Sequence, residues 1–96
     1  MAMIEEIDLH LEAFHPNQYG LSNEEKVQLS LNRMIKHINL ALDKGVSEIK
    51  FIHGKGTGVL KERVYQELRI LEVKGIIDSF EPSFFNEGVV RVFLNA

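Results

Sequence analysis

The chain has no cysteine among its 96 residues, and this absence limits the chemistry open to it. Without thiols it can form neither a disulfide framework nor a thiolate metal site, so the redox compartment stays open. It also has no apolar run near the roughly 18 residues that a bilayer span needs. The first ten residues, MAMIEEIDLH, lack the basic and apolar regions of a secretory signal. We therefore expect a cytoplasmic protein with no membrane partner.

Excess positive charge is missing as well, because the formal net charge is -3 at pH 7. Proteins that bind nucleic acid usually carry a basic surface, so the overall charge argues against that class. The local balance differs, since residues 50–63 hold four basic side chains and only one acid, Glu62. The composition is otherwise that of a globular protein. We expect a single domain over residues 1–96, of a size that is often cut from a longer protein.

The first half of the chain predicts a strand followed by a long helix. Within residues 4–11, Ile7, Leu9 and Leu11 alternate with the polar Asp8 and His10, which is the period of a strand with one buried face. An aperiodic connection containing Pro16 follows. A capping-box pattern beginning at Ser22 and a left-handed cap at Gly45 then predict a helix over residues 23–44, with one apolar stripe facing a sheet.

The second half predicts a strand, a helix and a hairpin. Ile49, Phe51 and Ile52 give residues 47–53 the apolar character of an interior strand, and residues 59–73 have a helical apolar stripe. Two β-rich runs then meet at a turn over residues 86–88. The order is therefore β-α-β-α-β-β. Helical crossovers make the first three strands parallel, and the hairpin makes the fourth antiparallel. We expect an α/β, two-layer α+β sandwich with a mixed four-stranded sheet and both helices on one face.

The other face of this sheet would be open, and three phenylalanines fall near it. Phe84, Phe85 and Phe93 form more aromatic surface than the open face of a monomer normally shows. They could meet a fused domain or a second copy in a homodimer. They could equally wrap into the single core.

The sequence FIHGKGTGVL, residues 51–60, places three glycines at alternate positions between the second strand and the second helix. Such a turn lets the backbone adopt positive φ and lets a ligand approach the chain closely. Beside a helix N-terminus it suits an anion, usually a phosphate. Lys55, Lys61 and Arg63 would add positive charge.

The spacing excludes two common phosphate loops. A P-loop requires Lys and Ser or Thr after its last glycine, but Val59 and Leu60 follow Gly58 here. The dinucleotide pattern requires a third glycine where Val59 stands. A tight turn without a ligand is the alternative reading.

Asp8 and His10 form a second group of interest, because residues two apart on a strand point to the same side. A carboxylate beside an imidazole can orient it, raise its basicity or share a metal ion with it. Parallel first and second strands would bring His10 and His53 to the same edge of the sheet, where ligands of α/β sheets gather. We therefore expect these side chains and the glycine turn to form one site.

Three sequence features together resemble the Smr (small MutS-related) domain. They are IDLHL near the start, IKFIHGKGTGVLKERV in the middle and IIDSFEPSFFNEGVVRVFL at the end, so that the resemblance covers about residues 7–94. The family's fold is similar to the C-terminal domain of a bacterial translation initiation factor. The resemblance implies a fourth strand inserted between the second and third.

The resemblance also implies function: members are endonucleases that nick DNA or cleave RNA. Asp8 and His10 match the family's D-L-H motif, and His53, Gly54, Lys55, Gly56, Thr57 and Gly58 match its glycine motif. We expect Asp8, His10 and His53 to be catalytic. Nucleic acid would be bound by residues of the loop and the second helix, namely Lys55, Gly56, Thr57, Gly58, Lys61 and Arg63. Asp8 and His10 could instead hold a divalent ion, Mg or Mn.

One residue departs from the family pattern. A glycine commonly follows the D-L-H motif, whereas this chain has Leu11 and then a long connection. We expect Leu11 to extend the first strand. The longer loop would reshape the substrate path, or the domain would bind nucleic acid or dock a larger protein on a ribosome without cleaving.

Overall fold

A computed structural model describes residues 3–15 and 17–94; Pro16 and the first and last two residues of the expected domain lie outside that range. The elements in chain order are β1 (Ile4–Asp8), α1 (Leu11–Phe14), α2 (Asn23–Lys44), β2 (Glu48–Ile52), α3 (Val59–Val73), β3 (Ser79–Pro82) and β4 (Val89–Phe93). The predicted order is confirmed, with the single turn of α1 added. No helix in the described part of the chain is both long and apolar enough to cross a bilayer.

The four strands form one mixed sheet in the order β1-β2-β4-β3. β1 is parallel to β2, and β4 is antiparallel to both β2 and β3. The insertion of the fourth strand between the second and third, which the family resemblance implied, is therefore confirmed. The carboxyl ends of β1 and β2 lie at the same edge of the sheet as the loop that joins β3 to β4.

Local chemistry at both ends fixes the long helix α2. The Ser22 hydroxyl accepts from the Glu25 N–H at 3.1 Å, and the Glu25 carboxylate accepts from the Ser22 N–H at 3.2 Å. At the other end Gly45 has φ 73°, and its N–H bonds the carbonyls of Ala41 and Leu42. The capping box and the left-handed cap are both confirmed.

One face of the sheet carries the hydrophobic core. Ile49 and Phe51 of β2 and Val90 and Val92 of β4 are completely buried. They form a single cluster with side chains of both long helices, among them Met34, Ile38, Val64 and Leu68. The helices therefore share that face, as expected of a two-layer sandwich.

The expectation that Leu11 extends the first strand is wrong. β1 ends at Asp8, and Leu11 is the first residue of α1, with only 7% of its surface exposed. The chain turns because the Asp8 carboxylate accepts from the His10 N–H at 2.8 Å, an Asx-type turn that competes with extended structure. Leu11 then packs inward instead of continuing the strand.

The open face of the sheet is mostly covered by charged side chains. Arg91 bonds the carboxylates of Glu48 and Glu81 and lies over the ring of Phe93, 4.9 Å from its centroid. Phe84 and Phe85 belong to the β3–β4 loop and are fully solvent-exposed, so they do not wrap into the core. A fused domain or homodimer partner at this face stays a prediction.

Candidate functional site

An open pocket of about 470 Å³ lies at the edge where β1 and β2 end. The starts of α2 and α3 form its walls, and the glycine loop between β2 and α3 forms its floor. Its lining includes His10, His53, Lys26 and Lys61 together with Gly54, Gly56, Thr57 and Gly58. The expected convergence of the D-L-H motif and the glycine turn is therefore present in the fold.

His10, which lines this pocket, is hydrogen-bonded to Asp8. The His10 ring Nδ1 lies 2.7 Å from Asp8 Oδ1, and both side chains are partly exposed. Because the carboxylate only accepts, Nδ1 donates to it, and in the neutral ring the lone pair is then on Nε2. The ring lies over Gly54, where an added Cβ would overlap Nε2 and come within 2.9 Å of Cε1. The basic nitrogen therefore faces the glycine loop.

Two residues of α2 hold the backbone of this pair. Ser30, which is buried, donates its hydroxyl to the Leu9 carbonyl at 2.7 Å. Arg33 donates through Nε to the Asp8 carbonyl at 2.9 Å and lies over the Phe14 ring of α1. Sequence reasoning missed both residues, although a serine on the apolar side of a helix is a signal that its hydroxyl has a partner.

His53 lies beneath the glycine loop and is only 3% exposed. Its Nδ1 donates to the Gly54 carbonyl at 2.8 Å, and among the described residues its buried Nε2 has no hydrogen-bond partner. Burial lowers the pKa of His53 below its usual value, although the Gly54 bond opposes this. A neutral, buried ring is suited to positioning the loop; its predicted catalytic role stays a prediction.

The glycine loop combines positive backbone dihedrals with open amides. Gly54 has φ 81° and Gly58 has φ 87°. Gly58 is the N-cap residue of α3 and makes no side-chain capping bond, while the Val59 N–H has only a long contact to Thr57 Oγ1 at 3.4 Å. The N-terminus of α3 therefore has no close side-chain cap within the described residues, which suits an anion site. Across the loop, the Gly88 carbonyl accepts from the N–H groups of His53 and Gly54.

The predicted basic residues separate into two groups. Lys55 and Lys61 line a shallow pocket beside the glycine loop, together with Glu87. Arg63 makes two bonds to the Glu24 carboxylate on α2, at 2.9 and 3.0 Å, so its guanidinium is held against that helix. Lys26, which sequence reasoning missed, lines the main pocket from the first turns of α2.

The residues predicted to hold a divalent ion do not form a metal site by themselves. Within residues 3–15 and 17–94 no three His, Asp or Glu side chains converge as a metal would require. Asp8 Oδ1 and His10 Nδ1 are also engaged with each other. Magnesium is usually held by one or two carboxylates together with waters and substrate phosphates, so a divalent ion at Asp8 and His10 stays a prediction.

The fold and the site define a small α+β domain with a carboxylate–imidazole pair facing a glycine loop at one sheet edge. A sequence model of the Smr domain matches residues 20–95, and the chain belongs to the Smr domain family. This is a family of nucleic-acid-binding, nuclease-like domains. The matched range begins after Asp8 and His10.

The crystal structure of the Smr domain of Thermus thermophilus MutS2 is similar over almost the entire fold. The TM-score is 0.72 at 26% sequence identity, and the match covers 96% of this chain and 99% of that one. No curated protein matches the chain.

Proposed function

We propose that this domain is an endonuclease that nicks DNA or cleaves RNA, with His10 as its general base or acid. The observation that carries the proposal is the Asp8–His10 pair, whose Nδ1–Oδ1 bond of 2.7 Å directs Nε2 toward the glycine loop. A carboxylate that orients a histidine is an arrangement suited to proton transfer.

The loop supplies the charge stabilisation that phosphodiester cleavage needs. The amides of residues 56–58 and the first turn of α3 would bind the sugar-phosphate backbone, with Lys55 and Lys61 beside them. His10 Nε2 would take a proton from the attacking water in hydrolysis, or from a ribose hydroxyl in transesterification. As that oxygen bonds to phosphorus, the P–O bond to the leaving oxygen breaks, and the leaving oxygen takes a proton from protonated His10 or from water. His53 would hold the Gly54 carbonyl and so fix the loop under His10.

The proposal is tested by cleavage assays on labelled single-stranded, duplex and branched DNA and on structured RNA. Each is run with magnesium, with manganese and with a chelator. His10→Ala should lower the rate about 100-fold or more, the scale of a lost general base, while binding changes little. His37→Ala is the matched control, because His37 lies on α2 away from the pocket. Equal activity of the His10 variant would remove His10 from the mechanism.

A non-catalytic binding module is the second candidate. The net charge of -3 and the leucine after the D-L-H motif favour it. In that case no ion would support cleavage, while Lys55→Ala and Lys61→Ala would still weaken nucleic-acid binding and lower its salt dependence.

A further inference from the structure

Two adjacent aromatic rings stand in solvent on the β3–β4 loop. Phe84 is 91% exposed and Phe85 is 94% exposed. Their ring centroids lie 5.3 Å apart with the planes at 76°, so the rings contact each other and not the core. Burial does not explain them, and large apolar side chains held together in water commonly mark a binding surface.

The loop that carries these rings is attached to the glycine loop. The Gly88 carbonyl accepts from the N–H groups of both His53 and Gly54, at 2.9 and 3.0 Å. Gly88 also packs so closely on Gly54 that a Cβ there would lie 3.2 Å from the Gly54 Cα. Phe85 is three residues from Gly88, so their Cα atoms are at most about 11 Å apart. A single strand crosses that distance within a few nucleotides.

We propose that Phe84 and Phe85 form a stacking platform for unpaired bases, which makes single-stranded nucleic acid the substrate of this domain. The inference rests on the proposed function, because the strand's phosphates would lie on the glycine loop. Every base has a π-face, so stacking on aromatic side chains is tolerant of sequence. Bases inside a duplex are already stacked and are not open to these rings.

The surrounding charges determine how a single strand of nucleic acid would lie across this surface, with its backbone on one side and its bases on the other. Lys55, Lys61 and Glu87 line the same shallow pocket, to which the glycine loop and α3 contribute the lysines and the β3–β4 loop that carries the rings contributes Glu87. The carboxylate repels phosphate, so the backbone follows the lysines and the bases turn toward the phenylalanines. Two rings are also far smaller than the roughly 800 Å² that each partner buries in a stable protein interface.

The first test uses fluorescence, because the chain has no tryptophan. Phe84→Trp introduces a single indole into the platform, and Val73→Trp introduces one at the exposed end of α3. A single-stranded oligonucleotide should quench the fluorescence of the first variant at saturation and leave the second unchanged. Quenching of both to the same extent, or of neither, would overturn the proposal.

The second test measures binding by fluorescence anisotropy with labelled single strands and duplexes. Phe84→Ala combined with Phe85→Ala should weaken single-strand binding about tenfold or more. Duplex binding should stay within about twofold. The matched control, Val73→Ala, removes an equally exposed apolar side chain without effect. An equal loss for duplex and single strand, or a wild-type dimer that the double variant dissociates in light scattering, would overturn the platform.

The two proposals fail in different ways. Binding of single strands without cleavage contradicts the nuclease and leaves the platform intact. Cleavage with unchanged single-strand affinity in the double phenylalanine variant contradicts only the platform. A wild-type protein that binds no nucleic acid overturns both.

Discussion

Gly54 determines both the backbone conformation of the glycine loop and the space available to the His10 ring. Its φ of 81° is unfavourable for any residue with a Cβ, and that Cβ would also collide with the His10 ring. We expect Gly54→Ala to destabilise the fold by about 1–3 kcal/mol, which is the usual cost of such strain. It should also displace His10 and abolish cleavage. Denaturant unfolding and the cleavage assay measure the two effects separately.

Variants at two other glycines of the loop distinguish the effect of backbone strain from the effect of a steric clash with His10. Gly58 has φ 87° but nothing within 4 Å of an added Cβ, whereas Gly56 has neither a positive φ nor a neighbour. Gly58→Ala should therefore lower the free energy of unfolding by about 1–2 kcal/mol without moving His10. Gly56→Ala should stay within about 0.5 kcal/mol of the parent. Equal activity in all three variants would show that His10 does not depend on Gly54.

His53 predicts a dependence of stability on pH. Burial lowers its pKa in the folded state below the ordinary 6.5, so the unfolded chain binds the proton more readily. Stability should be complete above about pH 6.5 and fall as the pH drops toward the folded pKa. Denaturant unfolding between pH 7.5 and 5 measures the loss.

The contribution of His53 must be separated from that of His37, whose pKa burial also lowers. The His37→Gln variant should keep the part of the loss that His53 causes. An NMR titration gives the pKa of His53 directly. A value above 6.5 would contradict both the neutral ring and its role in holding the Gly54 carbonyl.

Among the elements, α1 is the one whose contribution to stability is least evident from the sequence. Leu11 is its first residue and is buried, in place of the glycine common in the family. Leu11→Ala should lower the free energy of unfolding by about 2 kcal/mol or more. Cleavage per folded molecule should persist, because Ser30 and Arg33 still hold the backbone of β1. Val73→Ala, at an exposed position, should cost less than about 0.5 kcal/mol.

The long helices could be predicted to the residue, but the end of the first strand could not. α2 begins at a capping box and ends at a left-handed glycine. Both signals are local, so short windows of sequence contain them. β1 ends because Asp8 bonds the His10 N–H and Leu11 finds a buried position beside α2. The second of these causes depends on packing between distant segments, which periodicity does not report.

The candidate site divides in the same way. The pairing of Asp8 with His10 could be predicted from their spacing, although a turn after Asp8 and not a continued strand brings them together. The glycine loop could be predicted from its spacing. The contacts of Arg33 and of Arg63 could not be predicted, since Arg33 reaches a carbonyl 25 residues away and Arg63 a carboxylate 39 residues away. Such contacts follow from how the helices cross the sheet edge.

At the scale of the whole molecule, an acidic domain must bind a polyanion through few cations. The net charge is -3, and the lysines that line the two pockets of the site are Lys26, Lys55 and Lys61. Each phosphate neutralised on a single strand contributes about -0.7 to the slope of log K against log salt. Three contacts therefore predict a slope of about -2, which is weak for a nucleic-acid-binding protein.

Charge removal at matched positions tests whether these lysines account for the slope. Lys55→Gln and Lys61→Gln should each make it shallower by about 0.7. Lys74→Gln, at the far end of α3, removes the same charge outside the site and should leave the slope unchanged. The Debye length at 0.1 M salt is about 10 Å, so salt largely screens a charge at the far end of α3 from nucleic acid bound at the site. A wild-type slope near -5, or an equal response to all three changes, would mean that the strand follows a surface much larger than this edge of the sheet.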